Sequence, residues 1–220
     1  MLLNQYIDHT LLKATATAQQ IKQLCQEAIR YKFASVCVNS AYVSLASDEL
    51  KEAEVKVCTV VGFPLGAMST AAKVFEAQQA VNDGANEIDM VLNIGWLKSK
   101  QFDLVWKDIE AVRTTVPNTT LKVILETCYL EEIELIKASE LAMQSSADFI
   151  KTSTGFGSGG ATIDDVKLMR SVVGNHLKIK ASGGIKDYKT AQAFIKAGAD
   201  RLGVSAGVAI VEGSASNTDY

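Results

Sequence analysis

The sequence predicts an α/β protein built on a parallel β-sheet, and two observations support this. Short apolar runs rich in β-branched residues recur along the 220-residue chain, and stretches with helical spacing separate them. Strands that alternate with helices in this way form right-handed βαβ units, whose strands run parallel. Hydrophobic residues make up 48% of the chain, which is enough for the core of one large domain.

Seven segments have the composition of buried strands, and an eighth candidate is short. They are residues 33–39, 55–63, 87–95, 121–127, 148–153, 177–184 and 200–207, with the short candidate at 6–8. Eight strands and eight helices would make a (β/α)8 barrel, and the alternative is a doubly wound open sheet. The pattern leaves both arrangements open. However, no GxGxxG turn follows the first strand, which removes the usual argument for dinucleotide binding.

The helices between the strands follow from periodicity and from capping signals. Apolar side chains recur at i, i+3, i+4 and i+7 from Ile21 and from Phe102, and the same spacing begins again at Ala191. A glutamine lies three positions after Thr17, as in a capping box. Acidic residues follow Thr162, where they favour the first turn of a helix. We therefore expect helices to begin just after these two threonines.

Composition and charge disfavour several classes of function. The 22 basic and 25 acidic residues give a net charge of -3, so we expect no nucleic-acid partner. No apolar stretch is long enough to span a membrane, and the amino terminus lacks the pattern of a signal peptide. The four cysteines form no close pair in the sequence, which indicates reduced thiols in a cytoplasmic protein. Only two histidines are present, which disfavours a zinc-dependent mechanism.

Charged residues interrupt three of the predicted strands near their carboxyl ends. Asp89 lies in EIDMVLN, Lys151 in DFIKTST and Lys180 in LKIKASGG. Buried parallel strands are normally apolar throughout, and the carboxyl ends of barrel strands meet at the active-site mouth. Each residue alone has a structural interpretation: the carboxylate could cap a loop, and a lysine beside Lys178 could lie on the surface. Taken together, the three are expected to share one pocket.

Two lysines and a carboxylate in one pocket predict amine chemistry. Burial and a nearby second cation lower the pKa of a lysine, and the neutral amine can then attack a carbonyl to form a Schiff base. Asp89 would act as a general acid or base and would hold the cationic partner in place. Electrostatics alone leave open which of Lys151 and Lys180 is the nucleophile.

Glycines follow the strands that carry the two lysines, and a glycine also lies in the last strand. They are Gly155, Gly157, Gly159, Gly160, Gly183, Gly184 and Gly203. Glycine lets backbone N–H groups approach an anion, and the loops after strands 7 and 8 of a barrel frequently bind phosphate. Ordinary turn glycines are the alternative. We favour phosphate binding at Gly155, Gly183 and Gly184, and we expect the other glycines before Thr162 to shape a turn.

The motifs together resemble those of the 2-deoxyribose-5-phosphate aldolase family. The resemblance rests on IDHTLLKATAT, ASVCVN, VVGFPLGA, EIDMVLNIG, FIKTSTGFG, KIKASGGIK and LGVSAG, which occur in order from about residue 6 to residue 210. It implies a single (β/α)8 TIM barrel over residues 1–211, and the polar residues 212–220 predict a flexible tail. It also implies reversible, metal-independent cleavage of 2-deoxy-D-ribose 5-phosphate to D-glyceraldehyde 3-phosphate and acetaldehyde, with no cofactor, in deoxyribose phosphate catabolism.

The resemblance also implies roles for individual residues. Lys151 would form the Schiff base, Lys180 would perturb it, and Asp89 would transfer protons. The implied phosphate-binding positions are Gly155, Gly183, Gly184, Gly203 and Ser205. The implied further positions in the pocket are Thr152, Thr10 and Asn39, together with a C-terminal Tyr220 that assists proton transfer. The implied partners are phosphosugar and aldehyde substrates, with a homodimer as the candidate assembly.

Two departures from the family pattern and two alternative functions accompany this prediction. The last loop reads Ser205-Ala206 where two serines are frequent, which predicts weaker phosphate binding. Ser40 replaces a frequent proline and is expected to change only local stiffness. Cys37 is a candidate reactive thiol, although a small buried hydrophobe is the favoured interpretation. A phosphosugar isomerase on the same barrel and a non-catalytic phosphate-binding module are the alternatives to an aldolase.

Overall fold

Eight short strands form a closed parallel barrel in the computed structural model of this chain, which describes residues 2–214. The strands are β1 Ile7–Leu11, β2 Ser35–Val38, β3 Lys56–Val61, β4 Glu87–Val91, β5 Thr120–Ile124, β6 Phe149–Lys151, β7 Lys178–Ser182 and β8 Arg201–Val204. Each strand pairs in parallel with the next, and β8 pairs with β1. The structure confirms the TIM barrel and excludes the open sheet. All eight predicted strands are present, and the first begins at Ile7.

Helices surround the barrel, and at least one follows each strand. They are α1 Ala18–Tyr31, α2 Val43–Glu49, α3 Thr70–Asn82, α4 Ile94–Lys98, α5 Phe102–Thr115, α6 Glu132–Gln144, α7 Ile163–Val173, α8 Tyr188–Ala197 and α9 Gly207–Val211. The connection from β4 to β5 contains both α4 and α5, so residues 2–214 contain one helix more than the eight expected. No helix within residues 2–214 is long and apolar enough to cross a membrane.

The predicted caps explain where two of these helices begin. The Thr17 side chain accepts a hydrogen bond from the backbone N–H of Gln20, and the Gln20 side chain accepts one from the backbone N–H of Thr17. This reciprocal pair is the capping box expected before α1. The Thr162 hydroxyl accepts a hydrogen bond from the backbone N–H of Asp165 at 3.0 Å, which begins α7.

The two faces of the strands bury different kinds of side chain. The main apolar core lies between the barrel and the helices and includes Ile88, Leu121 and Ile179. Successive strand residues point to opposite faces, so their neighbours Asp89 and Lys122 point into the barrel. Both charged side chains are fully buried. The barrel interior therefore holds ionic groups where most barrels hold apolar layers.

Candidate active site

Three strands bring charged side chains together inside the barrel. Lys151 is the last residue of β6, and Asp89 and Lys180 are the third residues of β4 and β7. The Nζ atoms of both lysines lie 2.8 Å from Oδ2 of Asp89. One carboxylate oxygen therefore contacts two ammonium groups, and the charged residues that interrupt the predicted strands share a single pocket.

Lys180 is fully buried and contacts a second carboxylate. Its Nζ lies 2.5 Å from Oδ2 of Asp8 on β1. Burial acts to lower the pKa of Lys180, but the charges of Asp8 and Asp89 outweigh burial and raise this pKa well above its usual range. The lowered pKa expected for such a lysine is therefore not found at Lys180, which remains a cation beside Lys151.

A third lysine completes the group around Asp89, and it was missed in the sequence. Lys122 is the third residue of β5, directly opposite Asp89 in the strand register. Its Nζ lies 2.8 Å from Oδ1 of Asp89 and 2.6 Å from Oε2 of Glu87. Burial acts to lower the pKa of Lys122, but Asp89 and its neighbours raise it well above the usual range. The available signal was a lysine inside the apolar run LKVILET.

An arginine links the remaining carboxylates nearer the amino-terminal end of the barrel. Nη1 of Arg201, on β8, lies 2.5 Å from Oδ1 of Asp8 and 3.3 Å from Oε2 of Glu87. The Ser35 hydroxyl also donates to Oδ1 of Asp8, at 2.6 Å. Burial acts to raise the pKa of Asp8, but Arg201 and Lys180 hold it far below its usual range. Asp8 is therefore ionised at any pH at which the protein would work.

These groups form an ionic network with one more cation than anion. We call it the charged cluster, and its members are Asp8, Glu87, Asp89, Lys122, Lys151, Lys180 and Arg201. Four cations face three carboxylates, which leaves one positive charge in excess when all are ionised. Burial acts to raise the pKa of Asp89, but its three lysine neighbours hold it well below its usual range. Lys151 contacts Asp89 alone among these carboxylates.

Glycines from two loops enclose a cavity of about 200 Å³ beyond the ends of β6 and β7. It is lined by Gly155, Gly157, Ser158, Gly159, Gly160, Gly183 and Gly184. Gly183 has a φ of 86°, and a Cβ there would lie 2.9 Å from the Cα of Gly160. The two loops can approach this closely only without side chains, so the cavity wall is largely backbone. Gly157, Gly159 and Gly160, predicted only to shape a turn, line the cavity as well.

A buried carboxylate holds the loop that follows Lys151. Glu126, just after β5, has a φ of 55° and lies almost wholly inside the protein. It accepts hydrogen bonds from the Thr154 backbone N–H at 3.1 Å and from the Thr154 hydroxyl. This contact fixes the chain between the lysine and the glycine cavity. Nothing in the sequence pattern had indicated it.

The other polar residues of the predicted pocket form hydrogen bonds within the protein. The Thr152 hydroxyl donates to the backbone carbonyl of Ser182 at 3.2 Å and accepts from its N–H at 3.1 Å. The Thr10 hydroxyl donates to the backbone carbonyl of Asp8 at 2.8 Å. The Asn39 side chain donates to a backbone carbonyl just after β1 at 3.2 Å. The bonds of Thr152 and Asn39 join neighbouring segments at the strand ends, whereas the bond of Thr10 stays within β1.

Gly203 and Ser205, both predicted to bind phosphate, lie in different surroundings. A Cβ on Gly203 would lie 2.9 Å from Cε of Lys180, so this glycine makes room for the lysine side chain. Ser205 lines a different cavity of about 310 Å³, together with His9 and Thr10. Tyr220 and most of the predicted tail lie outside the described residues 2–214.

Two thiols beside the charged cluster could contribute to a metal site. The sulfur atoms of Cys37 and Cys58 and a carboxylate oxygen of Asp89 lie within 4.8 Å of one another. Such a group suits a thiophilic ion. However, lysines already occupy both oxygens of Asp89, and Lys122 Nζ lies 3.3 Å from Sγ of Cys58. A cation at this point would have to displace ammonium groups, so the geometry fits the lysines better than a metal ion.

Comparison with known proteins identifies the family to which this barrel belongs. The model of the DeoC/LacD family of aldolases matches residues 2–213. The chain belongs to this aldolase family. It is similar to a protein of Finegoldia magna named deoxyribose-phosphate aldolase, with 58% identity over 97% of this chain and all of that protein.

Further relatives cover nearly the whole aldolase barrel. A protein of Clostridium novyi named deoxyribose-phosphate aldolase is 56% identical over the full length of both chains. A solved structure, described as a unique tetrameric structure of deoxyribose phosphate aldolase from Aeropyrum pernix, has a TM-score of 0.89 and 31% identity. It covers 96% of this chain and 89% of the other. The family resemblance found in the motifs is thus confirmed across the whole barrel.

Proposed function

We propose that this protein catalyses the reversible cleavage of 2-deoxy-D-ribose 5-phosphate to D-glyceraldehyde 3-phosphate and acetaldehyde through a Schiff base on Lys151. One observation carries the proposal. Among residues 2–214, Lys151 forms an ion pair with one carboxylate only, Asp89, whereas Lys180 and Lys122 each contact at least two. The names of the relatives, deoxyribose-phosphate aldolase, support this choice of substrate.

The charge distribution supports Lys151 as the nucleophile. Lys180 and Lys122 stay protonated because carboxylates raise their pKa values well above the usual range. Neither therefore supplies a neutral amine. Lys151 is the last residue of its strand, its side chain is 3% exposed where those of Lys122 and Lys180 are fully buried, and its cluster carries one cation in excess. Losing the proton of Lys151 neutralises that excess and frees a lone pair for attack on a carbonyl.

The chemical steps then follow from the imine. The Lys151 amine adds to the C1 aldehyde of the open-chain sugar, and loss of water leaves an iminium ion. The iminium accepts the electrons of the C2–C3 bond as a base takes the proton of the C3 hydroxyl, and glyceraldehyde 3-phosphate leaves. The remaining enamine is protonated at C2, and water releases acetaldehyde and regenerates the amine. Asp89, directly or through a water molecule, is the proposed proton carrier because it lies beside the lysine.

The glycine cavity is the proposed phosphate site. Gly155, Gly183 and Gly184 have φ angles between 82° and 86°, which only glycine adopts readily and which leave their N–H groups uncovered by side chains. Gly155 follows Lys151 by four residues, so the loop that continues the Lys151 strand leads into this cavity, where the phosphate of the bound sugar is proposed to lie. Assigning Gly203 and Ser205 to phosphate rests on the family resemblance, as does the role of Tyr220. Thr152, Thr10 and Asn39 are proposed to frame the pocket through their hydrogen bonds.

The proposed partners are small molecules: a phosphorylated sugar and an aldehyde. A homodimer and a cytoplasmic location remain predictions from the sequence. The absence of a cofactor also remains a prediction.

A product assay tests the proposal directly. The full-length protein is incubated with 2-deoxy-D-ribose 5-phosphate, and glyceraldehyde 3-phosphate and acetaldehyde are measured separately. We expect both products in equal amounts, and we expect a metal chelator to leave the rate unchanged. An isomerase would convert the substrate to an isomeric phosphosugar without acetaldehyde, and a binding module would form no product. Either result would reject the proposal.

A further inference from the structure

Two thiols lie side by side on the inner wall of the barrel. Cys37 on β2 and Cys58 on β3 are register partners in adjacent strands. Both are fully buried, and with Leu12 and Val60 they form a small apolar cluster inside the barrel. Their sulfur atoms lie within 4.8 Å of each other. Adjacent strands lie about 4.8 Å apart, which is within the Cα separation that a disulfide bridges.

We propose that Cys37 and Cys58 are a site of reversible oxidative modification, at which a hydroperoxide converts the two thiols to a disulfide. The pair lies outside the chemistry of the proposed aldol reaction, which uses neither sulfur. Its position beside Asp89 nevertheless couples it to that reaction.

The pKa values of the two thiols are shifted in opposite directions, as stepwise oxidation requires. A hydrogen bond with the Cys58 thiol, together with the charge of Lys180, lowers the pKa of Cys37 below its usual range. Burial raises the pKa of Cys58 well above its usual range, as does its hydrogen bond with Cys37. Cys37 is therefore the better thiolate and attacks the oxidant, whereas Cys58 keeps its proton until the second step.

The oxidation proceeds in two balanced steps. The Cys37 thiolate attacks one oxygen of the hydroperoxide, an S–O bond forms, the O–O bond breaks, and the leaving alkoxide takes a proton. Cys37 is thereby oxidised to a sulfenic acid, and the peroxide is reduced to an alcohol, or to water for hydrogen peroxide. The Cys58 sulfur then attacks the sulfenic sulfur, an S–S bond forms, the S–O bond breaks, and hydroxide leaves with the Cys58 proton as water.

The disulfide would change the surroundings of Asp89. Sγ of Cys58 lies 3.1 Å from Oδ1 of Asp89 and 3.3 Å from Nζ of Lys122. Bonding to Cys37 removes the thiol proton and moves the sulfur towards β2, so Asp89 loses a hydrogen-bond donor. Because Asp89 also contacts Lys151, we expect the oxidised protein to cleave substrate about tenfold more slowly, or slower still.

Oxidation of the full-length protein with hydrogen peroxide tests this proposal. After treatment with a chelator present, free thiols are alkylated, and the unreduced protein is digested and mapped by mass spectrometry. We expect a cross-linked peptide that joins Cys37 to Cys58, in proportion to the loss of activity, and we expect dithiothreitol to reverse both. Cys37→Ser and Cys58→Ser should each abolish the cross-link.

Cys25→Ala is the matched control because Cys25 lies on α1, outside the barrel, where burial raises its pKa to about 12. This variant should form the Cys37–Cys58 cross-link as the unmodified protein does. A sulfinic acid on Cys37 with Cys58 still free would overturn the proposal, as would two unreacted thiols at a peroxide dose that oxidises the partly exposed Cys128. The mass readout does not depend on the proposed function, whereas the activity readout rests on it. A cross-link without loss of activity would therefore reject only the coupling to Asp89.

Discussion

Two groups of buried charges lie on opposite sides of the barrel wall, and they differ in their ratio of cations to carboxylates. Outside the barrel, Lys73 of α3 contacts Asp108 of α5 at 2.5 Å and the Val91 carbonyl at 2.9 Å, and Thr70 donates to the other oxygen of Asp108 at 2.7 Å. One cation meets one carboxylate there. Inside the barrel, three lysines share Asp89. Burial lowers the pKa of Lys73 although Asp108 acts to raise it, but this pair lies between two helices, away from the charged cluster. Inside the barrel, carboxylates hold Lys180 and Lys122 protonated, which leaves Lys151 as the amine that the proposed reaction uses.

Removing the shared carboxylate should have the largest effect. Asp89→Asn keeps the shape of the side chain but leaves three lysines without their common anion. We expect turnover to fall by about 100- to 10,000-fold, because a proton carrier is lost. We also expect the free energy of unfolding to fall by about 3–5 kcal/mol, because buried charges lose their partner. Steady-state kinetics and urea unfolding measure the two effects.

Asp108→Asn is the matched change in the balanced pair. It should cost a similar free energy of unfolding, since Lys73 is also fully buried. The turnover of the folded fraction should not change. A loss of turnover in Asp108→Asn as large as in Asp89→Asn would remove the functional distinction between the two groups.

Replacing Lys180, which stays protonated, should have the next largest effect on turnover. Lys180→Met removes the positive charge beside Lys151, so the cluster no longer favours loss of a proton from the nucleophile. We expect turnover at neutral pH to fall roughly 100-fold and the rate–pH profile to move to higher pH. Lys73→Met should leave the shape of that profile unchanged. Near-normal turnover of Lys180→Met at neutral pH would show that Lys180 has no such role.

Acid should lower the stability of the protein by protonating the carboxylates of the charged cluster. The pKa values of Asp8 and Asp89 are lower in the folded protein than in the unfolded chain. Their contribution to stability is therefore fully present above about pH 4 and is lost as the pH falls through the folded values, by about 1.4 kcal/mol per pH unit for each carboxylate. Thermal unfolding between neutral and acid pH measures this slope. Asp89→Asn should flatten it, and an unchanged slope would contradict the ionised state of Asp89.

Substituting alanine for single glycines should have the smallest of the predicted effects. Gly184 of the proposed phosphate cavity and Gly174 after α7 both have positive φ angles, of 82° and 53°, and an added Cβ at either meets nothing within 4 Å. Each substitution to alanine should cost about 1 kcal/mol of stability. Only Gly184→Ala should raise KM for the phosphorylated sugar, by up to about tenfold. Equal KM values in the two variants would place the phosphate elsewhere.

Much of this molecule could be predicted from its sequence, and the omissions have a physical cause. Strand and helix periodicity gave all eight strands, and the charges at strand ends brought Asp89, Lys151 and Lys180 to one pocket. The runs LKVILET and LKIKASGG both begin Leu-Lys, yet Lys122 is buried and Lys178 is exposed. Both lysines lie opposite Phe149 in the strand register, but Lys122 is the third residue of β5, whereas Lys178 is the first residue of β7, at the amino-terminal end of the barrel. The stagger of strands in a closed barrel, which no local pattern records, decides which of the two positions is covered.

Contacts between side chains on different strands could not be predicted from the sequence either. The contact of Glu126 with the Thr154 loop joins residues 28 positions apart and depends on a left-handed backbone at Glu126. The side chains that contact the Asp8 carboxylate lie on β2, β5, β7 and β8. No local pattern encodes such contacts, which form only when the barrel closes.

Covalent trapping of the imine tests the central claim most directly. The protein is incubated with acetaldehyde and reduced with borohydride, and the modified lysine is mapped by mass spectrometry, with Lys151→Arg as the control. We predict an adduct on Lys151 and none on Lys122 or Lys180, because those two lysines remain protonated between carboxylates. An adduct on Lys180, or no adduct on any lysine, would contradict the account.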